Sequence, residues 1–465
     1  MTSTPRATSI HKVRRDFLGG KRGDGDKRSE RIRRPDPSVI RVGTPDESLT
    51  TVAGLVAFGQ YTRELGLERQ LRQLFFDMKD GPLVVYPMEA QLRMLIDANV
   101  VGEPRVFGLE ALAADPLFVR LAGGVVPSID TVYRDLCRFD DLHLSHLEAL
   151  MAYYGGACVD QGSESFAYLD IDTTVEPLFG SQEGALPGPN PRYHGRPSYH
   201  PILGVMAETQ TCIGAELRPG DRGLGEDDAG FVRRTVQVAK AAAGKRMLVA
   251  RIDAGGDCAE ILEAIHQQQA FFIAKARCTR DLCNEVTVAD NWRTVDIDAD
   301  GKPSRQVAEI SFQRDAWQER GLKFRVIAVR SRQRDSGKQL YLWTDLDFTV
   351  QIFITNDTVR SAEDIAADYD GRAEVEPLIA ELKNGLGIGK VPSADFHANH
   401  ALFLLKLLTH NLVRAFVLQH APDVAYFRVE WLRRVLFCVP GRLLRSGRQW
   451  TLRLPPGSRL QPLLN

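Results

Sequence analysis

"SFAYLDIDTT", residues 165–174, alternates apolar and polar side chains and then ends in polar residues. Such alternation is typical of a β-strand with one buried face. Asp170 and Asp172 are two residues apart, so they lie on the same face of this strand. The stretch therefore predicts a strand that carries two carboxylates at its end.

The residues that follow predict two more strands and then an alternation of helices and strands. The patterns are, in order, strands at 199–209 and 212–220, a helix at 226–244, a strand at 245–255, a helix at 257–269 and a strand at 270–277. The order β-β-β-α-β-α-β implies a mixed sheet with helices on its faces. It matches the ribonuclease-H-like core, and we predict an α/β fold of this kind.

The remaining segments differ from this core in the spacing of their apolar residues. Apolar residues recur at helical spacing before the core, where Ser128 is a candidate N-cap. Strand-like patterns follow the core at 323–332, 338–346 and 349–356. Helical spacing returns at Ser361, which forms a capping-box-like pattern with Asp364. We divide the chain into a basic disordered arm (1–45), a helical region (46–157), the first part of the core (158–277), a β-rich insertion (278–350), the second part of the core with a Glu-bearing helix (351–420) and a basic C-terminal region (421–465).

Composition and charge limit the class of protein. The 465 residues are 44% hydrophobic and 26% charged, as in a soluble globular protein. Residues 1–43 contain twelve Lys/Arg and five Asp/Glu, and residues 428–465 contain eight Arg and one Glu. Basic ends favour phosphate binding, although a solvating tail is an alternative for the first of them. Seven scattered cysteines without a C-x-x-C pair indicate reduced thiols.

The longest apolar run, residues 401–418, is interrupted by Lys406, His410 and Arg414 at helical spacing. This pattern predicts a buried or amphipathic helix, so we expect no membrane span. No basic stretch followed by an apolar one begins the chain, and we expect no signal peptide and a cytoplasmic location.

"YDGRAEVEPLIAELK", residues 369–383, places Tyr369, Arg372, Glu376 and Lys383 in steps of three, four and seven. On one α-helix these side chains would share a face. One interpretation is a solvated face with ion pairs. The other is a functional stripe, because Asp172, Asp253 at the end of a later strand and a glutamate on a late helix would meet at one sheet edge.

Three acids crowded together repel one another unless cations are bound. Phosphodiester cleavage uses such a cluster, because two Mg²⁺ ions about 4 Å apart activate the attacking oxygen and stabilise the leaving oxygen. Mg²⁺ prefers hard oxygen ligands and keeps several waters, so a few carboxylates suffice to bind it.

The spacing Y-(2)-R-(3)-E-(6)-K resembles the signature of a large group of bacterial insertion-sequence transposases of the Asp-Asp-Glu (DDE) type. "DIDTT" resembles that group's first-Asp motif, and "RIDAGGDCAEIL" (251–262) resembles its second. "DFHANHALFLLKLLTHNLVRAF" (395–416) is similar to the segment that usually follows the signature. The resemblance covers roughly residues 160–420 and keeps the order of the motifs.

The resemblance implies roles for six residues. Asp172, Asp253 and Glu376 would be the catalytic, metal-binding triad, with Asp172 chosen because the family motif has the acid directly before a threonine. Tyr369, Arg372 and Lys383 would hold DNA phosphates near the scissile bond. The implied cofactor is a pair of Mg²⁺ ions, with Mn²⁺ as a substitute.

The implied function is cut-and-paste DNA transposition: cleavage at transposon ends and strand transfer into target DNA. The implied partners are double-stranded DNA (the terminal inverted repeats and the target) and a second copy of the chain in the end-synapsed complex. We expect a bacterial cytoplasmic, nucleoid-associated protein. The alternatives are a catalytically inactive end-binding repressor and a ribonuclease-H-like nuclease that never joins strands.

Several residues keep two interpretations. Asp170 is either the first catalytic acid or part of a structural salt bridge. His194 and His200 are expected to be surface or turn residues. Among Trp292, Trp317 and Trp343, one would stack on a base near the cleaved end, as in some relatives, or all three pack in the interior.

Deleting the basic arm should weaken DNA binding and flatten its dependence on salt, because fewer counterions are released. The measurement is the slope of log affinity against log salt for the full chain and for a chain that begins at residue 46. Equal slopes would show that the arm makes no phosphate contacts.

Overall fold

Nine strands form one mixed sheet in the computed structural model, which describes residues 37, 40–159, 165–190, 194–332 and 348–464. The strands of the described residues are β1 (Leu49–Thr50), β2 (Phe166–Thr173), β3 (Glu176–Pro177), β4 (Leu186–Pro187), β5 (Pro197–Tyr199), β6 (Ile202–Met206), β7 (Thr211–Glu216), β8 (Met247–Ile252), β9 (Phe271–Lys275), β10 (Arg293–Ile297), β11 (Pro303–Ile310), β12 (Arg325–Arg332), β13 (Phe348–Thr355), β14 (Gly441–Ser446) and β15 (Gln449–Arg453). The large sheet has the order β10-β11-β12-β13-β9-β8-β2-β6-β7.

Helices cover both faces of this sheet and build the N-terminal part of the chain. The helices are α1 (Leu55–Glu64), α2 (Leu67–Phe75), α3 (Met88–Val101), α4 (Leu109–Leu112), α5 (Pro116–Leu121), α6 (Ile129–Leu136), α7 (Asp141–Ala157), α8 (Ala229–Ala243), α9 (Ala259–Gln267), α10 (Arg280–Val288), α11 (Asp315–Gln318), α12 (Ala362–Asp370), α13 (Val375–Gly385), α14 (Phe396–His420) and α15 (Val429–Leu432). The predicted N-caps are confirmed, since Ser128 accepts from Thr131 N and Ser361 from Asp364 N. The predicted mixed α/β sheet with flanking helices is therefore confirmed.

The alternation of side chains along β2 assigns the two faces of the sheet. Ala167, Leu169 and Ile171 pack in one core with α8 and α9. The other face, on which Tyr168 and the later acids lie, is covered by α12. This alternation places Asp170 and Asp172 on the α12 side.

The segment predicted as a β-rich insertion extends the central sheet. β13, which crosses the predicted end of the insertion at residue 350, pairs antiparallel with β9, for example Ile354 with Ala274. The predicted strands at 323–332 and 349–356 correspond to β12 and β13, and the predicted strand at 338–346 lies outside the described residues. The prediction missed α10, β10 and β11, because their patterns are short and partly exposed.

Helix α14 lies at the centre of a second hydrophobic core, distinct from the one that β2 forms with α8 and α9. It is long and apolar enough to cross a membrane by length and composition, and 83% of its most apolar window is buried inside the protein. Side chains of the N-terminal helices, of α14 and of the C-terminal region form one hydrophobic cluster. The two ends of the described chain also meet, because β1 pairs with β14.

Asn411 on α14 joins three elements in this core. Its side chain is fully buried; Nδ2 donates to Met151 O of α7 at 2.9 Å and to Cys212 O of β7 at 2.7 Å. Its Oδ1 accepts from Cys212 N at 2.9 Å. An amide side chain is needed here because it supplies both donors and an acceptor.

Asn411→Ala should lower the free energy of unfolding by about 3 kcal/mol, because buried backbone groups of Met151 and Cys212 lose their partners. Chemical denaturation measures the change, with Gln318→Ala at the exposed end of α11 as the control. A decrease no larger than that of the control would contradict this account of the core.

Candidate active site

Two aspartates meet at the carboxyl ends of adjacent strands. β2 and β8 are parallel neighbours, with Ile171 paired to Ile252. Asp172 and Asp253 each follow one of these residues, and parallel strands bring their carboxyl ends to one edge. The Asp253 side chain accepts from Gly255 N at 3.0 Å, which fixes the turn after β8.

Burial and the nearby charge of Asp253 both affect the pKa of Asp172. Its side chain is only 14% exposed, and burial raises its pKa to about 6. Arg372 opposes this shift, whereas the neighbouring charge of Asp253 adds to it. Two carboxylates held this close are costly without a cation between them.

Asp170 belongs to a structural ion pair. Arg251 of β8 donates through Nε to Asp170 Oδ1 at 2.6 Å and through Nη2 to Oδ2 at 2.8 Å. The same guanidinium donates to Asp368 O at 2.7 Å and so ties β8 to α12. Both Asp170 oxygens are occupied by this pair, which agrees with the salt-bridge interpretation.

The predicted single helix over residues 369–383 is wrong. α12 ends at Asp370, a 3₁₀ turn covers Gly371–Glu374, and α13 starts at Val375. Pro377 explains the break, because it has no N–H to donate to residue 373 and its ring crowds that carbonyl. Gly371 fits the close approach, since a Cβ there would lie 2.5 Å from Arg251 Nη1.

Three of the four signature side chains point into the protein. Tyr369 Oη donates to Ile252 O at 3.2 Å, and Lys383 Nζ donates to Val175 O at 2.8 Å. Arg372 Nη2 lies 3.1 Å from Asp172 Oδ1 and 3.4 Å from Ile171 O. These contacts clamp the segment onto the ends of β2 and β8, and a purely solvated face is wrong.

Tyr369 and Arg372, which are predicted to hold DNA phosphates, contact protein groups in this structure. Tyr369 is 9% and Arg372 8% exposed, so both contact protein. Helical spacing predicts which side chains share a face but not what covers that face. In this structure they anchor the segment that carries Glu376.

Glu376 lies in the first turn of α13 and is exposed. Among the described residues, no group of three His, Cys, Asp or Glu side chains is placed to hold a metal ion. The structure brings Asp172 and Asp253 to one sheet edge, and among the described residues it does not group Glu376 with them as a metal site.

Glu176 was missed by the sequence analysis. It is buried, and its Oε1 lies 3.1 Å from Lys383 Nζ. Burial raises the pKa of Glu176, and Lys383 opposes the shift. Its position four residues after Asp172 is the signal that could have found it.

The predictions for the histidines and tryptophans agree with the structure only in part. His194 is exposed, as expected, whereas His200 is buried with Nε2 3.3 Å from Thr173 Oγ1, and burial lowers its pKa to about 4. Trp317 is 1% exposed and packs in the core. Trp292 is half-buried and donates to Ala289 O, and Trp343 lies outside the described residues.

Asp170→Asn should lower the free energy of unfolding by about 3 kcal/mol, because it leaves the Arg251 guanidinium buried without its partner charge. Thermal and chemical denaturation measure the decrease, with the exposed Asp290→Asn as the control. An Asp170→Asn protein as stable as the control would remove Asp170 from its structural role.

Comparison with known proteins identifies the family of the chain. The family model described as "Transposase DDE domain group 1" matches residues 36–465. No curated protein matches the chain. A solved structure, the cryo-EM structure of the piggyBac transposase synaptic complex with hairpin DNA, is 10% identical, with a TM-score of 0.43, 82% of this chain covered and 78% of that one. Because this family model matches most of the length of the chain, the chain belongs to the transposase DDE domain group 1 family and is a transposase.

Proposed function

We propose that this transposase comes from a bacterial insertion sequence and moves it by cut-and-paste transposition. It would bind the terminal inverted repeats, hydrolyse a strand at each end and join the freed 3′-OH to target DNA. The observation that carries the proposal is the pair Asp172 and Asp253 at one sheet edge, with the Tyr369–Lys383 segment clamped over it. The strand order β7-β6-β2-β8-β9 supports a ribonuclease-H-like core.

DDE transposases generally use divalent metal ions. The donors here fit such an ion, because Asp172 and Asp253 offer hard oxygens at one sheet edge, and burial together with the charge of Asp253 raises the pKa of Asp172. Glu376 is the third donor in this proposal, since its exposed carboxylate has no ion pair among the described residues. Two bound Mg²⁺ ions, or Mn²⁺ in their place, would activate the attacking oxygen and stabilise the leaving oxygen.

The protein's own side chains prepare the site. Arg372 compensates the charge of Asp172 before DNA and metal arrive, and Tyr369 keeps the start of the segment on β8. Glu376 follows Arg372 by four residues, just after the 3₁₀ turn ends and α13 begins. The clamp therefore fixes the segment that carries Glu376 and leaves the Glu376 carboxylate exposed.

The partners in this proposal are double-stranded DNA, at the inverted repeats and the target, and a second copy of the chain when the two ends are paired. Arg372 and Lys383 would contact phosphates once DNA competes for their present partners. The protein would act at the nucleoid in the bacterial cytoplasm.

Glu376→Gln should leave DNA binding close to normal and reduce strand cleavage by several orders of magnitude. Gln is nearly as good a helix former as Glu, but it lacks the charge that fixes the metal. Nicking of a labelled repeat-end duplex in Mg²⁺ is measured beside a gel shift on the same protein. The matched control is Glu374→Gln, an exposed glutamate two residues earlier, which should cleave like the wild type.

Asp172→Asn and Asp253→Asn should separate binding from cleavage in the same way, and combining them with Glu376→Gln should reduce cleavage little further. Unchanged nicking by the Glu376→Gln protein would reject the assignment of Glu376. A wild-type protein that binds ends without nicking them would favour an end-binding repressor. Nicking without any joining to target DNA would favour a nuclease.

A further inference from the structure

A cleft lies beside the active site, between the C-terminal half of α13 and the start of α15. Its volume is about 530 Å³, and its lining includes Lys383, Lys390, Arg428, Glu381 and Glu430. Lys383 follows Glu376 by seven residues, which is about 10 Å along a helix. A DNA strand bound at the two aspartates would therefore reach this cleft within a few nucleotides.

The walls of the cleft are joined by close packing and hydrogen bonds. Val429 N donates to Glu381 Oε1 at 2.8 Å, and Arg433 Nη1 donates to Gly385 O at 2.7 Å. Gly385 permits the approach, since a Cβ there would lie 2.3 Å from Val429 Cγ1. The cleft is thus formed before any ligand binds.

A buried ammonium holds the loop on the third side. Lys406 of α14 is fully buried, and its Nζ donates to Gly387 O at 2.7 Å and to Lys390 O at 2.9 Å. These bonds fix the backbone of the loop that carries Lys390. The Lys390 side chain itself is exposed at the rim.

Two cations of the cleft are available to a ligand. Lys383 is engaged by Val175 O and Glu176, and the Glu381 carboxylate accepts from Val429 N. In the part of the chain that the structure describes, Lys390 Nζ and the Arg428 guanidinium have no hydrogen bond or ion pair. Glu430, exposed on the same rim, is the one carboxylate of this lining without a described partner, so the available charge is positive.

We propose that this cleft binds the phosphate backbone of a DNA strand that continues from the active site, through Lys390 and Arg428. The proposal rests on the proposed function, since DNA must first reach the two aspartates. A lysine at the rim acts as a point charge, and an arginine can contact a phosphate through two N–H groups. These contacts carry no base specificity and set the path of the strand.

The test uses the full chain, a fluorescein-labelled duplex of mixed sequence and anisotropy titrations at several salt concentrations. Lys390→Gln/Arg428→Gln should bind about tenfold more weakly at low salt, and its salt slope should be less steep by about 0.9 for each phosphate that the variant no longer neutralises. Arg428→Lys alone should keep most of the slope. The control is Arg233→Gln/Lys245→Gln, which removes the same charge elsewhere. Arg233 is exposed on α8 and Lys245 is exposed just after it, on the opposite face of the sheet.

The outcomes separate the two proposals. Weaker binding and a flatter slope only in the cleft variant, with an unchanged melting temperature, would support the cleft as a DNA site. Wild-type affinity and slope in that variant, or equally weakened binding in the control, would overturn it while leaving the active site untouched. A wild-type chain that neither binds nor nicks a repeat-end duplex would overturn the proposed function and the cleft together.

Discussion

The ion pair between Arg372 and Asp172 joins two parts of the site that are two hundred residues apart in the chain. Both side chains are largely buried, 10% and 14% exposed. Burying such a pair adds little net stability, but removing one partner leaves an uncompensated charge. The pair therefore fixes where the signature segment sits, and the positions of Tyr369, Glu376 and Lys383 follow from it.

Three acids around the two strand ends are paired with cations of the protein. Arg251 pairs with Asp170, Arg372 with Asp172 and Lys383 with Glu176. A metal ion would compete with Arg372 for Asp172, and a DNA phosphate would compete with Asp172 for Arg372. Binding of either one should therefore free the side chain that the other binds. The cations that remain available beside the site, Lys390 and Arg428, lie further along the segment that follows α13.

Local patterns in the sequence were sufficient for much of the fold. The alternation in β2, the serine caps at Ser128 and Ser361, and the acids that end β2 and β8 depend on near neighbours, and all were predicted. The pairing of β13 with β9 depends on contacts between distant segments, which no local pattern specifies. The break before α13 was foreseeable, because Gly371 and Pro377 were both visible.

For the signature residues, spacing in the sequence predicts a shared face but not the groups that their side chains contact. Spacing predicted that Tyr369, Arg372 and Lys383 share a face, and they do contact one region of the structure. Their partners are backbone carbonyls and carboxylates, which spacing cannot supply. Glu176 was missed for the same reason, because its importance comes from its burial against Lys383.

In the proposed metal site, Asp172, Asp253 and Glu376 together would hold divalent cations. Calorimetric titration with Mn²⁺ tests it without any DNA or turnover. We expect Asp172→Asn, Asp253→Asn and Glu376→Gln each to weaken Mn²⁺ binding by about tenfold or more, whereas Glu374→Gln should bind like the wild type. Wild-type Mn²⁺ affinity in the Glu376→Gln protein, beside weakened binding in both aspartate variants, would contradict it.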